Sequence, residues 1–334
     1  MGCPALNPDG GVGGRRLARR VGRRTVDLAC LAGGLVIVSV PLGRLWAVAD
    51  ILAIFLVQAA LGLVLAAALA LWLRSWRRAA VAGVLLAVAV AWMLPIGSPL
   101  GRTSAPADAG LRLLVANLHG PSGIPPLPEL RAWIEARDVD VVLLTEVSIS
   151  MRAPLQALSA VFPYSADCAG ERYCETLMLS RRPLHDAEYQ VDARGGGKLL
   201  LADIDAGGQQ RLTLALTHVL RPIPPGSPER NWRQSQFVAS AAAGRRSLVL
   251  TGDFNAVPWG RVMAMFEQRL GVRGPALLQG TWPSWLPTPF RVHIDHVLVG
   301  CGVELRQVRT ERFPRSDHLA VMATVRPGAA GACD

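Results

Sequence analysis

Residues 248–259 read LVLTGDFNAVPW. An apolar run ends in a glycine, and an aspartate, an aromatic, an asparagine and a proline follow. The run has the length and composition of a buried strand. The glycine is expected to make a tight turn that stops it. Asp253 and Asn255 then stand one residue apart, so both polar side chains turn to one side and Phe254 turns to the other, into the core. Trp259 is expected to pack at the start of a helix. A strand that stops on an acid and an amide aimed at the same spot is built to hold or attack something there.

The same pattern recurs along the chain. Strand-like runs occupy LRLLVAN (111–117), DVVLLTE (140–146), TLMLS (176–180), KLLLADI (198–204), RLTLALTH (211–218), HIDHVLV (293–299) and AVMATV (320–325). Several are apolar on both faces, as in a sheet covered on both sides. Helical stretches are expected at 128–137, 154–161, 228–243 and 261–271. Asn117, Glu146 and His218 close three of the strands, Asp295 sits within HIDHVLV, and Asp317 and His318 precede the last strand. A single strand-end acid ordinarily caps a turn. A set of them in one domain points to a shared rim, because parallel strands send their C-terminal ends to one edge.

Composition divides the chain. Apolar runs at 28–40, 51–73 and 79–96 fall in the first hundred residues. A membrane span needs roughly 20 apolar residues, so these read as three transmembrane helices, with a kink expected at Pro41. No A-x-A cleavage site is evident, so the first run reads as a span and not as a signal peptide. Ten arginines against three aspartates precede residue 101, which leaves about +3 of the net charge of +10 for the rest. Arginines cluster before the first span and between the second and third. The positive-inside rule then puts the N-terminus in the cytoplasm and everything beyond the third span outside. Most of the basic charge is thus topological, and no nucleic-acid footprint is expected. Lys198 is the only lysine, and the arginine bias reads as genome composition more than chemistry. The expected divisions are a basic tail (1–26), three membrane helices (27–96), a linker (97–110), an exported domain (111–327) and a short tail (328–334). Cys168 and Cys174 close the loop CAGERYC and are expected to bridge, and Cys301 with Cys333 is the remaining pair. No Cys/His spacing resembles a zinc site.

The ordered set of Asn117, Glu146, His218, GDFN (252–255), Ile294-Asp295 and SDH (316–318) resembles the endonuclease/exonuclease/phosphatase superfamily of DNase I-like nucleases, sphingomyelinases and inositol polyphosphate phosphatases. The resemblance implies a four-layer α/β sandwich over about residues 111–327, here preceded by a three-helix transmembrane anchor. It implies a Mg²⁺ (or Mn²⁺) ion held by Glu146 with Asn117 and Asp317. It implies that Asp253 orients or deprotonates the attacking water, that Asn255 holds a phosphoryl oxygen, and that Asp295 fixes and charges His318. His218 would be the acid for the leaving oxygen. Arg221, Arg230 and Arg233, and also Arg172, are candidate phosphate contacts from expected rim loops, and His119 is a candidate ligand contact. His293 and His296 read as structural or surface residues, and His185 as part of a surface loop.

The anchor bears on the substrate. A nuclease for diffusing DNA gains little from three spans, and DNA affinity rests on phosphate contacts that a charge of about +3 supplies poorly. A lipid-linked phosphate cannot leave the bilayer, since a tail of ~20 carbons holds it with roughly 16 kcal/mol. TWPSWLP (281–287) followed by IDHVLV (294–299), on three spans, resembles the VanJ-type membrane-bound subgroup, which includes a teicoplanin-resistance protein. That implies an outward-facing, multi-pass cell-membrane enzyme that turns undecaprenyl pyrophosphate into the monophosphate. Its partners would be the lipid bilayer and this lipid-linked pyrophosphate, without nucleic acid or an obligate protein partner. Trp282 and Trp285 suit the membrane interface. A nuclease or phosphodiesterase that scavenges phosphate is the alternative. A non-catalytic binding module would not need Asp253, His218 and His318 together.

Overall fold

The computed structural model describes residues 10–94, 110–118, 127–168, 170–171, 174–192, 196–207, 210–275 and 280–328. His119, Arg172, Cys333, nearly all of the expected linker and the final residues lie outside that set. The chain divides into two compact units, Met1–Leu94 and Pro95–Asp334.

The first unit is helical. Helix α1 (Gly10–Gly43) runs unbroken through the arginine-rich stretch and the first apolar run. Arginine is a good helix former, which allows this continuity. Pro41 falls in the last turn, and the helix stops at Gly43, so the expected kink is a helix end. The second apolar run is not one straight helix. It forms α2 (Ala47–Ala53) and α3 (Leu56–Trp72), bent by 51° at the break. Helix α4 (Trp76–Met93) completes the unit. Residues Gly14–Gly43 and Trp76–Met93 are each long and apolar enough to cross a membrane, and the bent pair makes a third span if it counts as one. Leu28, Leu31, Leu35, Leu65, Trp72 and Val84 are exposed, as suits helices that face lipid. Inside, Val26, Ala66, Ala70 and Ala82 form a buried cluster. Asp27 and Arg78 join α1 to α4 through hydrogen bonds of 2.8 and 2.9 Å.

The second unit has two mixed sheets. The six-stranded sheet has the order β10-β11-β1-β2-β4-β3, and the five-stranded sheet has the order β5-β6-β7-β8-β9. The strands are β1 (Leu111–Asn117), β2 (Val141–Thr145), β3 (Tyr164–Asp167), β4 (Leu177–Ser180), β5 (Leu184–Val191), β6 (Lys198–Gly207), β7 (Gln210–His218), β8 (Leu248–Asp253), β9 (Asp295–Val299), β10 (Val303–Arg312) and β11 (Leu319–Pro327). Leu113, Val115 and Leu143 from one sheet meet Leu200, Leu214, Leu216 and Val249 from the other. The opposite faces are covered too. Leu114 and Leu144 pack with Leu130 and Ile134 of α5 (Leu127–Glu135) and with Met151 and Leu155 of α6 (Ile149–Gln156). Leu248 and Leu250 pack with Val238 of α7 (Pro228–Ala241) and Phe266 of α8 (Arg261–Leu270). This is the expected four-layer sandwich, and double coverage explains why its central strands read as unbroken apolar runs.

Two crossovers set the rim. β1 pairs parallel to β2 around α5, and β7 pairs parallel to β8 around α7. Asn117 is then level with Thr145, next to Glu146, and His218 is level with Asp253. Strands β3, β5 and β10 escape the sequence reading. The last two are half-exposed edge strands rich in polar residues, LHDAEYQV and VELRQVRTER, which lack a continuous apolar run. His185 accordingly lies in β5 and not in a surface loop, with Nε2 3.2 Å from Asp205. Pro154 falls inside α6 and does not open a helix.

Candidate active site

Gly252 is not a turn. It lies within β8, opposite Thr217 and His296. Its φ is 131°, and a Cβ there would meet the Thr217 carbonyl oxygen at 1.9 Å. Glycine therefore lets β8 lie close against β7, and the strand continues to Asp253. Phe254 is fully buried and packs edge-on against Phe266 and His296. Asn255 takes the left-handed conformation, φ 47°, and its backbone N–H donates to Asp253 Oδ1 at 2.8 Å. The Asn255 side-chain amide donates to the Val219 carbonyl at 2.9 Å, which leaves its second N–H for another acceptor. Trp259 is buried just before α8.

The sandwich brings carboxylates from both sheets together. The Asn117 amide nitrogen donates to Glu146 Oε1 and to Asp253 Oδ2, at 3.0 Å each. Glu146 has a φ of 55°, a conformation uncommon outside glycine and often found where a site requires it. Its turn leaves β2 abruptly, and the next residue, Val147, donates its N–H to the Glu175 carbonyl at 3.0 Å. Glu146, His218 and Asp253 lie close enough to share one ion, and so do Asp253, Asp295 and His318. The first group offers two carboxylates beside the His218 imidazole, and Asn117 adds an amide whose oxygen and nitrogen exchange by a flip. Hard oxygen donors of this kind suit magnesium or manganese.

Two imidazoles flank this centre, each held by its own carboxylate. His318 Nδ1 is 2.8 Å from Asp295 Oδ2 and 3.9 Å from Asp253 Oδ2. Burial opposes charge on His318, but Asp295, then Asp253 and Asp317, outweigh it and lift the imidazole to about 10. His218 Nε2 is 3.7 Å from Glu146 and 4.0 Å from Asp253, while Nδ1 is 3.3 Å from Glu175 Oε1. Burial again opposes charge, and Glu175, then Asp253 and Glu146, lift His218 to about 9. Asp253 is pushed up to about 7 by burial and by Asp295, against the pull of the two imidazoles. The centre thus pairs acids with cationic donors on either side of one buried carboxylate.

The other expected residues are arranged differently. Asp317 belongs to neither ion-sized group. Its Oδ2 accepts from Trp282 Nε1 at 2.9 Å, and its Oδ1 is 3.9 Å from His318 Nε2. Arg221, Arg230 and Arg233 are exposed, and Arg233 donates to the Glu229 carbonyl of its own helix. His293 and His296 are buried and stacked 4.3 Å apart, with His296 Nε2 donating to the Ala256 carbonyl at 2.8 Å. The bridge from Cys168 to Cys174 is present, and Cys301 is also disulfide-bonded.

Sequence reasoning missed Glu175 and Lys198. Lys198 Nζ is 2.6 Å from Glu175 Oε1. Burial opposes ionisation of Glu175, but His218 and Lys198 hold it at about 2. The only lysine of the chain therefore lies at the site. Glu175 precedes β4 and Lys198 begins β6, each antiparallel to a strand that ends at the rim. A strand-start position gave no signal. Thr281 and Ser316 were also missed. Thr281 Oγ1 accepts from Asp295 N at 3.3 Å, and Ser316 Oγ links Asn117 O (2.6 Å) to His318 N (3.0 Å).

Comparison with known proteins agrees with this architecture. The model of the Endonuclease/Exonuclease/phosphatase family matches residues 114–318. Among solved structures, D. rerio TDP2 complexed with a single-strand DNA product has a TM-score of 0.53 and 19% identity, over 66% of this chain and 100% of that one. The endonuclease/exonuclease/phosphatase from Beutenbergia cavernae has a TM-score of 0.53 and 19% identity, over 67% of this chain and 73% of that one. At such identities the likeness is one of fold. No curated protein matches the sequence.

Proposed function

This chain belongs to the endonuclease/exonuclease/phosphatase family, and on that premise we propose that it is a membrane-anchored phosphohydrolase for a lipid-linked phosphate. The reading takes undecaprenyl pyrophosphate, cleaved to the monophosphate outside the cytoplasm, as the substrate. Teicoplanin tolerance through altered lipid-carrier flux would be a consequence. One observation carries the chemistry: a single amide, Asn117, bridges Glu146 and Asp253 between two imidazoles that each have their own carboxylate. The helices of the first unit support the lipid substrate, since Gly14–Gly43 and Trp76–Met93 are each long and apolar enough to span a bilayer.

Glu146 and Asn117 would hold the divalent cation, which polarises a phosphoryl oxygen when bound. Asp317 would act from beyond His318, as a neighbour of the phosphate site more than as a direct ligand. Asp253 holds and orients the attacking water, and Asn255 offers its second amide proton to a phosphoryl oxygen. His318, kept charged by Asp295, neutralises the phosphoryl group. His218, kept charged by Glu175, gives its proton to the leaving oxygen. Such acid–base help contributes about 10²–10⁴-fold. Arg221, Arg230 and Arg233 are exposed and remain the weakest of the proposed phosphate contacts.

Phosphate release from a polyprenyl pyrophosphate, run beside plasmid nicking with and without chelator, tests the reading. Release that stops with chelator, and with Asp253→Asn or His318→Ala, is expected. Nicking without phosphate release would replace it with the nuclease reading.

A further inference from the structure

Residues 280–290, GTWPSWLPTPF, contain no charged side chain. Trp282, Trp285 and Phe290 are nonetheless 39%, 68% and 52% exposed. Of the seven large hydrophobics exposed among the described residues beyond Leu94, three are on this loop. Three on one short loop is a denser set than the singly scattered apolar residues that need no explanation.

The loop is fastened to the site. Ser284 N donates to Asp317 O at 2.6 Å, Ser284 Oγ donates to Ser316 O at 3.0 Å, and Leu319 N donates to Thr281 O at 2.9 Å. Trp282 turns its N–H inward to Asp317. The segment that carries His318 and the segment that carries the aromatics are therefore one hydrogen-bonded piece. Two arginines hold its backbone: Arg291 Nε donates to the Leu286 carbonyl at 2.6 Å, and Arg291 Nη2 and Arg312 Nη2 donate to the same Ser284 carbonyl, at 3.2 and 3.3 Å. Burial, and then the neighbouring Arg312 charge, lower Arg291 from the ordinary arginine value. Two guanidinium groups thus share one carbonyl of an uncharged aromatic loop.

Exposed aromatic rings together with guanidinium groups on one loop match the chemistry of an anionic bilayer surface, where rings sit at headgroup depth and guanidinium groups meet phosphates. We propose that residues 282–291 with Arg312 form a contact with an anionic phospholipid bilayer, seating the mouth of the site at the membrane. Trp285 and Phe290 enter the interface, and Arg291 and Arg312 meet lipid phosphate. The contact deepens the lipid-substrate reading above and rests on it for its purpose, but it can be measured without any turnover. A protein surface as partner would not call for paired guanidinium groups beside neutral rings in a chain that already carries membrane-length apolar helices.

The test uses the full chain in vesicles of phosphatidylglycerol and phosphatidylcholine. Brominated lipid should quench more fluorescence in the wild type than in Trp285→Phe, and the difference should shrink in vesicles of phosphatidylcholine alone. In the same vesicles, Trp285→Ser/Phe290→Ser should raise KM for a membrane-embedded polyprenyl pyrophosphate roughly tenfold. Its kcat/KM for a short prenyl pyrophosphate that stays monomeric in water should not change. If the wild type hydrolyses neither substrate but the quenching difference stands, the function fails and the contact survives. No quenching difference overturns the contact, and so do equal losses on both substrates. A wild-type oligomer that the double variant dissociates would make the face a contact between copies and overturn the bilayer assignment.

Discussion

Glu175 Oε1 lies 3.3 Å from His218 Nδ1, and the same oxygen holds Lys198 Nζ at 2.6 Å. This carboxylate favours the charged imidazole and faces its Nδ1, while Nε2 is the nitrogen turned toward Glu146 and Asp253. Glu175→Gln should therefore lower kcat by about 10²-fold, with KM changed far less. A variant that folds and turns over at the wild-type rate would remove Glu175 from the mechanism.

The disulfide ends at Cys174, one residue before Glu175. Closing so short a loop contributes about 2 kcal/mol to stability. Replacing both Cys168 and Cys174 by serine should cost that stability and also lower kcat, because the backbone that aims Glu175 is released. Loss of stability with kcat intact would limit the bridge to a structural role. Denaturant midpoints and initial rates on one preparation separate the two.

Metal binding should show as stability. Saturating the site about 100-fold above Kd adds about 2.7 kcal/mol, or a rise in Tm of roughly 5 °C or more for a domain of this size. Magnesium should raise the Tm of the wild type, and Glu146→Gln should abolish the rise. An equal rise in both proteins would move the metal away from Glu146.

Gly252→Ala should cost about 3 kcal/mol or more, since it combines a disfavoured φ with a clash against the Thr217 carbonyl. Urea denaturation reads this directly. A change within about 0.5 kcal/mol would mean that β7 and β8 can separate without loss.

Acid should weaken the fold through the stacked histidines. Burial lowers His296 from 6.5 to about 4, and His293 lies well below its ordinary value for the same reason, with His296 adding to it. The unfolded chain takes up protons near pH 6.5 that the folded chain refuses, so stability falls as the pH drops from about 6.5 toward 4. The His296 share is at most about 3 kcal/mol. Unfolding midpoints of His296→Gln should decline less between pH 7 and 5 than those of the wild type. Parallel declines would assign the acid sensitivity elsewhere.

The amino-acid sequence by itself determined the covered strands and the strand-end polar residues, and the order of its motifs carried the resemblance that implies the four-layer class. Runs such as LRLLVAN and SLVLTGD carry these as local patterns of apolar length and terminal polarity. It also showed apolar stretches of membrane length, though not that the second would bend between Ala53 and Leu56. Three things belong to tertiary structure alone. Gly252 is required by the closeness of Thr217, which lies 35 residues earlier in the chain. Glu175 and Lys198 reach the rim because β4 pairs with β2 and β6 pairs with β7. The loop around Trp285 meets the segment of His318 through backbone hydrogen bonds. Each depends on which strand lies beside which, a long-range choice made by the packing of two sheets, and no local stretch of residues encodes it.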